Sequence, residues 1–276
     1  MSKKILVLGS TGKTGKRVAE RLQNLQIPIR PGSRNGNPSF NWDEPNNWNE
    51  VLTGVESAYI TFQPDIAVPE AHEKIKLFTE TARTNHVKKL VLLSGRGEKE
   101  AQACEQIIIQ SGLEWTIIRA SWFMQNFSEG FLLDSILTNE LILPNTQSLE
   151  PFVDVDDIAD VVVSVLTDSK HNHKIYEMTG PELISFRKAT STIATTLSKD
   201  IKYSEISMDE YVAALKSYQL PDDLIWLMQY LFTEVFDGRN ESLSNDIESV
   251  LRRKPTNFKD YTIKTAKTGI WKTQSI

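Results

Sequence analysis

Seven residues near the N-terminus have the types and spacing of a phosphate-binding turn. They run Gly9-Ser10-Thr11-Gly12-Lys13-Thr14-Gly15, directly after the apolar segment Ile5–Leu8. The first glycine permits a sharp turn off a strand, the second lets backbone approach a pyrophosphate, and the third lets a helix pack close to the sheet. The N–H groups and positive dipole end of that helix would hold the anion. This arrangement predicts a dinucleotide site.

The same segment contains Gly12-Lys13-Thr14, which also ends the phosphate loop of nucleoside triphosphatases. Where that loop has its first glycine, this chain has Val7, inside the predicted strand. The triphosphatase interpretation is therefore rejected.

Two arginines follow the second predicted strand and indicate which dinucleotide binds. The residue that contacts the adenosine ribose is expected about 20 positions after the glycine motif. Arg34 stands 34 − 15 = 19 positions beyond Gly15, with Arg30 close by and no acidic residue between Arg30 and Phe40. Because arginine matches a phosphate with a bidentate fork, the pair favours NADPH over NADH. The alternative is that both arginines are merely solvated.

Strand and helix patterns alternate along the first two-thirds of the chain. A helix is predicted to open near Pro69, with Ala71, Ile75, Phe78 and Ala82 on its buried face. This rhythm predicts an α/β fold, a Rossmann-type doubly wound parallel sheet. Short apolar runs predict the strands at Ile5–Leu8, Ile27–Ile29, Ala58–Phe62, Leu90–Leu93, Trp115–Ile118 and Phe152–Val155.

The composition of the chain limits which partners it can bind. The 276 residues include 31 basic and 36 acidic ones, a net charge of −5, which argues against general binding of nucleic acid or of anionic membranes. No apolar run approaches the ~18 residues of a membrane span, and no signal peptide is evident, so a cytoplasmic protein is expected. A single cysteine, Cys104, excludes an intramolecular disulfide and a multi-cysteine zinc site. His171 and His173 are expected in a solvated loop, so no metal is predicted.

Three further segments each allow two interpretations. Asp154, Asp156 and Asp157 precede an apolar helix; capping of that helix is favoured over a catalytic carboxylate cluster. The helix predicted at Pro221–Phe236 is apolar on nearly every side and must be buried by core, substrate or a second subunit, so a homo-oligomer is possible. The stretch 251–272 has seven basic residues and one acidic residue; a solvated tail is expected, with a phosphate or nucleic-acid patch as the alternative.

The motifs together resemble the NmrA-like group of atypical short-chain dehydrogenases. The resemblance is strongest to NAD(P)H azoreductases and to festuclavine and agroclavine dehydrogenases, and it reaches to about Phe258. Beyond the glycine motif it rests on Phe40-Asn41-Trp42-Asp43, Trp48, Leu52-Thr53-Gly54-Val55, Val91-Leu92-Leu93-Ser94, Trp115-Thr116-Ile117-Ile118-Arg119, Trp122-Phe123-Met124-Gln125-Asn126-Phe127, Phe152-Val153-Asp154-Val155-Asp156-Asp157-Ile158-Ala159 and Thr179-Gly180-Pro181-Glu182-Leu183.

The resemblance implies one Rossmann domain over 1–276, with a small C-terminal substrate lobe drawn mainly from 121–276. It places Asn41 where many relatives carry an aspartate at the adenine ring. Phe62 and Gln63, after the third strand, would face the nicotinamide half. Ser94 ends a strand at the same predicted edge, although its hydroxyl could equally cap the turn.

The catalytic pair of typical short-chain dehydrogenases is missing. These enzymes use a tyrosine with a lysine four positions later, which lowers the tyrosine pKa. None of the seven tyrosines has a lysine at that spacing. Many NmrA-like relatives carry a lysine or histidine at the position of Ala101, and Lys99, two residues earlier, is more simply a solvated surface residue. No catalytic residue is predicted.

A quinone, azo group or iminium ion can accept hydride without a strong enzymic acid. We therefore expect an NADPH-dependent reductase of a conjugated or cationic acceptor, with a non-catalytic NAD(P) sensor as the alternative. Trp122 and Phe123 follow a strand end and are expected to line the pocket for an aromatic or conjugated small molecule. The Pro221–Phe236 helix is expected to form its lid, unless it packs as core or against a second subunit.

Overall fold

A computed structural model of the protein describes residues 4–272. Its strands are β1 (Lys4–Leu8), β2 (Ile29–Gly32), β3 (Val55–Ile60), β4 (Lys89–Gly95), β5 (Glu114–Ala120), β6 (Glu140–Pro144), β7 (Lys174–Met178) and β8 (Lys202–Ile206). Its α-helices are α1 (Lys13–Asn24), α2 (Trp48–Leu52), α3 (Ala71–Thr84), α4 (Lys99–Ile109), α5 (Asn126–Glu129), α6 (Leu133–Leu137), α7 (Val155–Thr167), α8 (Phe186–Leu197), α9 (Met208–Ser217), α10 (Asp222–Tyr230), α11 (Asp246–Leu251) and α12 (Phe258–Thr268). A π-helical segment, Leu231–Val235, continues α10.

Six strands form one parallel sheet in the order β2-β1-β3-β4-β5-β7. The chain runs outward from β1 to β2 and then returns across β1 to β3 on its other side. Open parallel sheets bind ligands beyond the carboxyl ends of the strands at such a reversal. The predicted fold class, an α/β Rossmann-type parallel sheet flanked by helices, is confirmed.

The first of two compact units comprises residues 4–120, 156–178 and 246–253 of the described chain. It contains the six-stranded sheet. The face predicted for α3 is confirmed, since Ala71, Ile75, Phe78 and Ala82 are all fully buried in its core. Apolar positions of β1, β3 and β4 pack on the same core because a parallel sheet is covered on both faces.

The second unit comprises residues 121–155, 179–245 and 254–272. Here β6 and β8 pair in parallel beside helices α5, α6, α8, α9, α10 and α12. The solvated tail expected over 251–272 is wrong, because Phe258, Tyr261 and Trp271 are buried. In α12 the buried side chains are those of Phe258, Tyr261, Thr262 and Thr265, whereas the lysines that suggested a tail are exposed. The division of 1–276 into one domain with a lobe stays a prediction.

Two further expectations are corrected. Phe152–Val155 is not a strand: Val153 forms a single bridge with Phe123, and α7 already begins at Val155. These residues are buried, and a short buried apolar run does not reveal its secondary structure by periodicity.

His171 does not lie in a solvated loop. It is buried, with its Nδ1 2.6 Å from the Tyr176 hydroxyl, and burial lowers its pKa.

No helix within residues 4–272 combines the length and apolar character that a membrane crossing requires. Across the same residues, no group of three or more His, Cys, Asp or Glu side chains is placed to hold a metal ion.

Candidate functional site

The glycine-rich turn leaves the carboxyl end of β1 as a closed loop. Gly9 adopts φ +63°, a left-handed conformation that glycine takes without steric cost. The Gly12 N–H donates to the Gly9 carbonyl over 2.8 Å, and the Ser10 N–H donates to the Gly32 carbonyl over 3.3 Å. The turn is therefore closed on itself and fastened to the end of β2.

Gly15 and Gly12 tolerate a side chain differently. A Cβ on Gly15 would lie 2.2 Å from the Gly9 carbonyl oxygen, so only glycine lets α1 start this close to the turn. A Cβ on Gly12 would lie 3.2 Å from the same oxygen and 3.8 Å from Nε2 of Gln63. Gly12 is the N-cap of α1 and has no side chain to cap it, so the first N–H groups of α1 receive no bond from that position. Uncapped N–H groups at a helix N-terminus form an anion site.

The residues that follow β3 lie against this turn. The Thr61 hydroxyl donates to the Leu8 carbonyl over 3.2 Å. Gln63 is exposed and its amide faces Gly12, whereas Phe62 is buried and packs on Trp42 with ring centroids 4.8 Å apart. The structure thus brings Gln63 and the glycine-rich turn together at the strand reversal, and it directs Phe62 towards the core.

The two arginines that follow the turn in sequence have different surroundings. One guanidinium nitrogen of Arg30 donates to the carbonyls of Glu50, Val51 and Thr53, over 3.1, 2.5 and 2.7 Å. It therefore caps the carboxyl end of α2, and it is not merely solvated. Arg34 is exposed beyond β2 and makes no hydrogen bond or ion pair within residues 4–272. Of the two, Arg34 has the side chain available for a phosphate.

Ser94, at the end of β4, is buried against a charged group that sequence reasoning missed. Its hydroxyl donates to Oε1 of Glu105 over 2.6 Å, and Arg119 binds both oxygens of the same carboxylate. Glu105 is 0 % exposed. A carboxylate only accepts hydrogen bonds, so the Ser94 hydrogen points to Glu105 and only a lone pair of Ser94 is left for a ligand. The pairing of a helical glutamate with a strand arginine gave no local sequence signal.

A second unforeseen pair involves carboxyl groups of the loops after β3 and β4. Asp65 accepts the Ala67 N–H over 2.9 Å and is hydrogen-bonded to Glu98. The Glu98 carboxyl fills the space over Gly95, where a Cβ would lie 2.2 Å from its Oε2. Burial raises the pKa of Asp65, partly offset by these hydrogen bonds. Other buried acids are poor proton donors, since burial raises the pKa of Cys104 and of Tyr211 to about 12 each.

The aspartates at the start of α7 make structural contacts. Asp156 pairs with Arg17 and Arg21, and Asp157 pairs with Arg253 over 2.6 Å. Within the second unit, Asp154 accepts from the Gln125 amide over 2.7 Å. Each carboxylate thus has an arginine or amide partner, whereas the first N–H of α7, at Val155, bonds the side-chain oxygen of Gln125, so capping of α7 by these aspartates stays a prediction.

The aromatic residues predicted to form a pocket meet within the second unit. Trp122 is partly exposed, and its ring lies 5.6 Å from Phe232 and 4.4 Å from Phe236, both from the predicted lid segment. Phe186 and Phe131 complete the group, which we call the Trp122 cluster. Phe123 is partly exposed and bridges to Val153. The predicted wall and lid residues therefore contact one another, although these contacts alone are equally typical of a core.

Comparison with known proteins shows which of them this chain resembles in sequence. It is 29% identical to festuclavine synthase II of Penicillium roqueforti over 93% of this chain and 96% of that protein. It is 24% identical to NAD(P)H azoreductase of Xenophilus azovorans over 83% and 86%, and 26% identical to prestalk A differentiation protein A of Dictyostelium discoideum over 95% and 92%. The chain is thus similar in sequence to the azoreductase and also to agroclavine dehydrogenase of Claviceps fusiformis, with which it shares 27% identity over 93% of this chain and 95% of that protein. The resemblance to this NmrA-like subgroup is confirmed, although no family model matches.

Solved structures agree on the fold. A nucleoside-diphosphate-sugar epimerase from Staphylococcus aureus superposes with a TM-score of 0.81 at 15% identity, covering 95% of this chain and 99% of that one. An NADPH-dependent quinone oxidoreductase from Escherichia coli, solved with NADPH, gives 0.79 at 18% identity, covering 94% and 98%. At such identities the likeness establishes the Rossmann-like fold alone. The named relatives, not the solved structures, support an NAD(P)H-dependent oxidoreductase.

Proposed function

We propose that the protein is an NADPH-dependent reductase that transfers hydride to a conjugated or cationic acceptor of quinone, azo or iminium type. The observation that supports this most is the closed, glycine-built turn at the uncapped N-terminus of α1, with exposed Arg34 beyond the neighbouring strand. The named reductase and dehydrogenase relatives support the same chemistry.

The residues present fit a dinucleotide phosphate. Backbone N–H groups of Gly9–Gly15 other than those of Ser10 and Gly12, together with the side chains of Ser10, Thr11, Lys13 and Thr14, would hold the pyrophosphate. Arg34 would hold the 2′-phosphate. Gln63 and Ser94 would contact the nicotinamide half, with Ser94 as a hydrogen-bond acceptor because its hydroxyl hydrogen is donated to Glu105. Bound NADPH would supply the hydride.

The acceptor class follows from what the chain lacks and from its aromatic residues. Without a tyrosine–lysine pair in the sequence, an unactivated ketone would have no strong acid to protonate it. Quinone, azo and iminium groups accept hydride when they are held in line, and positioning alone contributes much of the rate. The indole of Trp122, with Phe123, would offer a flat surface to such a conjugated molecule.

The decisive experiment is NADPH oxidation with a panel of quinones, azo dyes and iminium salts, beside two arginine variants. Arg34→Ala should weaken NADPH binding by about 1.5–3 kcal/mol, the range for hydrogen bonds to charged groups, and change NADH binding little. Arg30→Ala is the matched control, because it uncaps α2 and should lower stability without changing the preference between cofactors. A native preference for NADH, or equal losses with both cofactors in Arg34→Ala, contradicts the assignment.

A second candidate is a non-catalytic NAD(P)-sensing regulatory protein. It is favoured by one relative whose name refers to cell differentiation and not to a reaction. Tight NADPH binding with no oxidation by any acceptor class would select this candidate over the reductase.

A further inference from the structure

The side chain expected at the adenine ring is already engaged. Oδ1 of Asn41 accepts the Asp43 N–H over 3.2 Å, and its Nδ2 donates to Glu44 over 3.3 Å. Its carbonyl also accepts the Trp48 indole N–H over 2.9 Å. Asn41 thus stabilises its own turn, and its two side-chain bonds fix the orientation of the amide, which keeps one further hydrogen and one further lone pair.

The next residue, Trp42, is fastened to the carboxyl end of β3. Its indole N–H donates to the Thr61 carbonyl over 3.2 Å, at the end of β3. The Thr61 side chain in turn bonds the Leu8 carbonyl and covers Gly9, because a Cβ there would lie 2.3 Å from its hydroxyl oxygen. Trp42 is therefore joined to the glycine-rich turn through a single intervening residue.

The loop that contains Arg34 returns to the same place. The Ser33 carbonyl, just beyond β2, accepts both the Gly36 N–H over 3.0 Å and the Phe40 N–H over 2.8 Å. These bonds fold residues 33–40 back on themselves, so that residues 41 and 42 lie close to the end of β2. Arg34, on this loop, and Trp42, just after it, therefore both lie near the carboxyl end of β2.

Trp42 can offer only its aromatic surface to a ligand, since its single donor is used. Four rings pack against it within the first unit, yet the side chain stays partly exposed. Those rings are Phe40, Trp48, Phe62 and Phe78, with centroids 5.0, 5.6, 4.8 and 5.5 Å away. A rigid, partly exposed indole is suited to stacking, and stacking is insensitive to the substituents on the edge of a base.

We propose that the adenine of the cofactor is held by stacking on the indole of Trp42 and that its 6-amino edge is not read by Asn41. The inference rests on the proposed function only in that NADPH is the ligand. The inference predicts a cofactor site that requires the 2′-phosphate but accepts different bases.

The test compares NADPH with its hypoxanthine analogue, reduced nicotinamide hypoxanthine dinucleotide phosphate, by equilibrium titration of the full chain. Stacking predicts Kd values within roughly threefold of each other, whereas loss of one neutral hydrogen bond to the base would cost roughly tenfold. Trp42→Leu should weaken both cofactors equally, by roughly 5- to 100-fold, the range for loss of an aromatic–base stack. Trp42→Phe keeps a ring and should restore much of the affinity, and it serves if Trp42→Leu does not fold.

A second readout is independent of turnover. Binding of 2′,5′-ADP should quench tryptophan fluorescence in the native chain and much less in Trp42→Phe. Trp115→Phe, a matched change at another partly buried indole of the same unit, should leave the quench intact. Strong discrimination against the hypoxanthine cofactor that Asn41→Ala abolishes would overturn the inference while leaving the proposed function standing. A chain that binds no NADPH would overturn both.

Discussion

The glycine-rich turn and the Trp122 cluster, one in each compact unit, are built on opposite principles. In the turn, the decisive contacts are between backbone atoms, such as the carbonyl of Gly9 and the position a Cβ of Gly15 would take. In the Trp122 cluster, the contacts are between large rings, of which Phe236 lies 4.4 Å from the indole. The first arrangement excludes side chains next to the space that we propose for a ligand, and the second consists of side chains that fill space.

The difference determines what each region reveals about function. A gap maintained by glycines next to an uncapped helix N-terminus has little use in a protein that binds no anion there. A group of packed rings stabilises a core equally well whether or not a substrate ever touches it. The two regions are therefore distinguished by substitution: the turn should lose binding while it keeps stability, and the cluster should lose stability whatever its role in binding.

The largest effect is expected at Gly12. Gly12→Val should abolish NADPH titration while the protein still melts cooperatively near the native temperature. A Cβ at Gly12 would lie 3.2 Å from the Gly9 carbonyl oxygen, which a shift of a few tenths of an ångström relieves, but the branches of valine would occupy the space that we propose for a phosphate. Isothermal titration and a thermal melt on the same sample measure the two quantities.

Gly15→Val is the contrasting control, because its Cβ would lie only 2.2 Å from backbone. It should lower the melting temperature as well as binding. If Gly12→Val retained NADPH titration, the turn would not be the pyrophosphate site.

The next largest effect is expected at Trp122. Trp122→Ala should lower the free energy of unfolding by about 2–4 kcal/mol, since removal of a large ring from a packed cluster leaves a cavity. If Trp122 also lines the acceptor pocket, KM for the acceptor rises while the Kd of NADPH is unchanged. Trp122→Phe separates the two roles, because it restores most of the stability but not the indole surface. A KM that returns to the native value together with stability would assign Trp122 to the core alone.

The sequence predicted the fold well where one short segment was sufficient to define an element. The strand before Gly9, the helix after Gly15 and the face of α3 all depend on local spacing, and all are observed. The strand predicted at Ile27–Ile29 begins too early, because the observed strand runs Ile29–Gly32. That strand includes a proline, a residue that argues against assigning a strand from sequence.

The candidate site was predictable only in part, because several of its contacts join residues distant in sequence. Ser94 meets Glu105 through the packing of α4 on β4, and Arg30 caps a helix 20 residues away. The partly exposed Trp42 could be recognised in the sequence as part of a family motif. Its bond to the Thr61 carbonyl could not, because it depends on how loop 33–40 closes. Neither composition nor periodicity encodes such pairings.

The next, smaller effect concerns how the free energy of unfolding depends on pH, which should differ between Asp65 in the first unit and Trp122 in the second. Burial raises the pKa of Asp65 above its ordinary value of 3.8, so the folded state holds that proton more tightly than the unfolded state does. The stability that Asp65 contributes is complete below the ordinary value and is lost as pH rises through the raised pKa, at no more than about 1.4 kcal/mol per pH unit. Asp65→Asn keeps an acceptor for the Ala67 N–H and should remove this decline.

Urea denaturation of native and Asp65→Asn protein between about pH 4 and 8 measures the difference, which should grow with pH and then level off. Asp43→Asn, at an exposed carboxylate, is the control and should track the native curve. Trp122→Ala should shift stability by a constant amount at every pH, because the four rings packed on it, those of Phe131, Phe186, Phe232 and Phe236, do not ionise. Parallel curves for native and Asp65→Asn would contradict the role assigned to Asp65.

The smallest effect on stability is expected at Trp226, on the predicted lid. Its side chain is 37 % exposed and stacks face to face on Tyr230, with centroids 5.3 Å apart and planes 7° from parallel. Trp226→Ala should lower the free energy of unfolding by less than about 1 kcal/mol, because little buried area is lost compared with a fully packed ring. Sedimentation velocity and acceptor kinetics on this variant decide what covers the exposed face. A raised KM with unchanged mass supports the lid, a reduced mass assigns the face to a contact between two copies, and no change in either shows that α10 presents this pair to solvent.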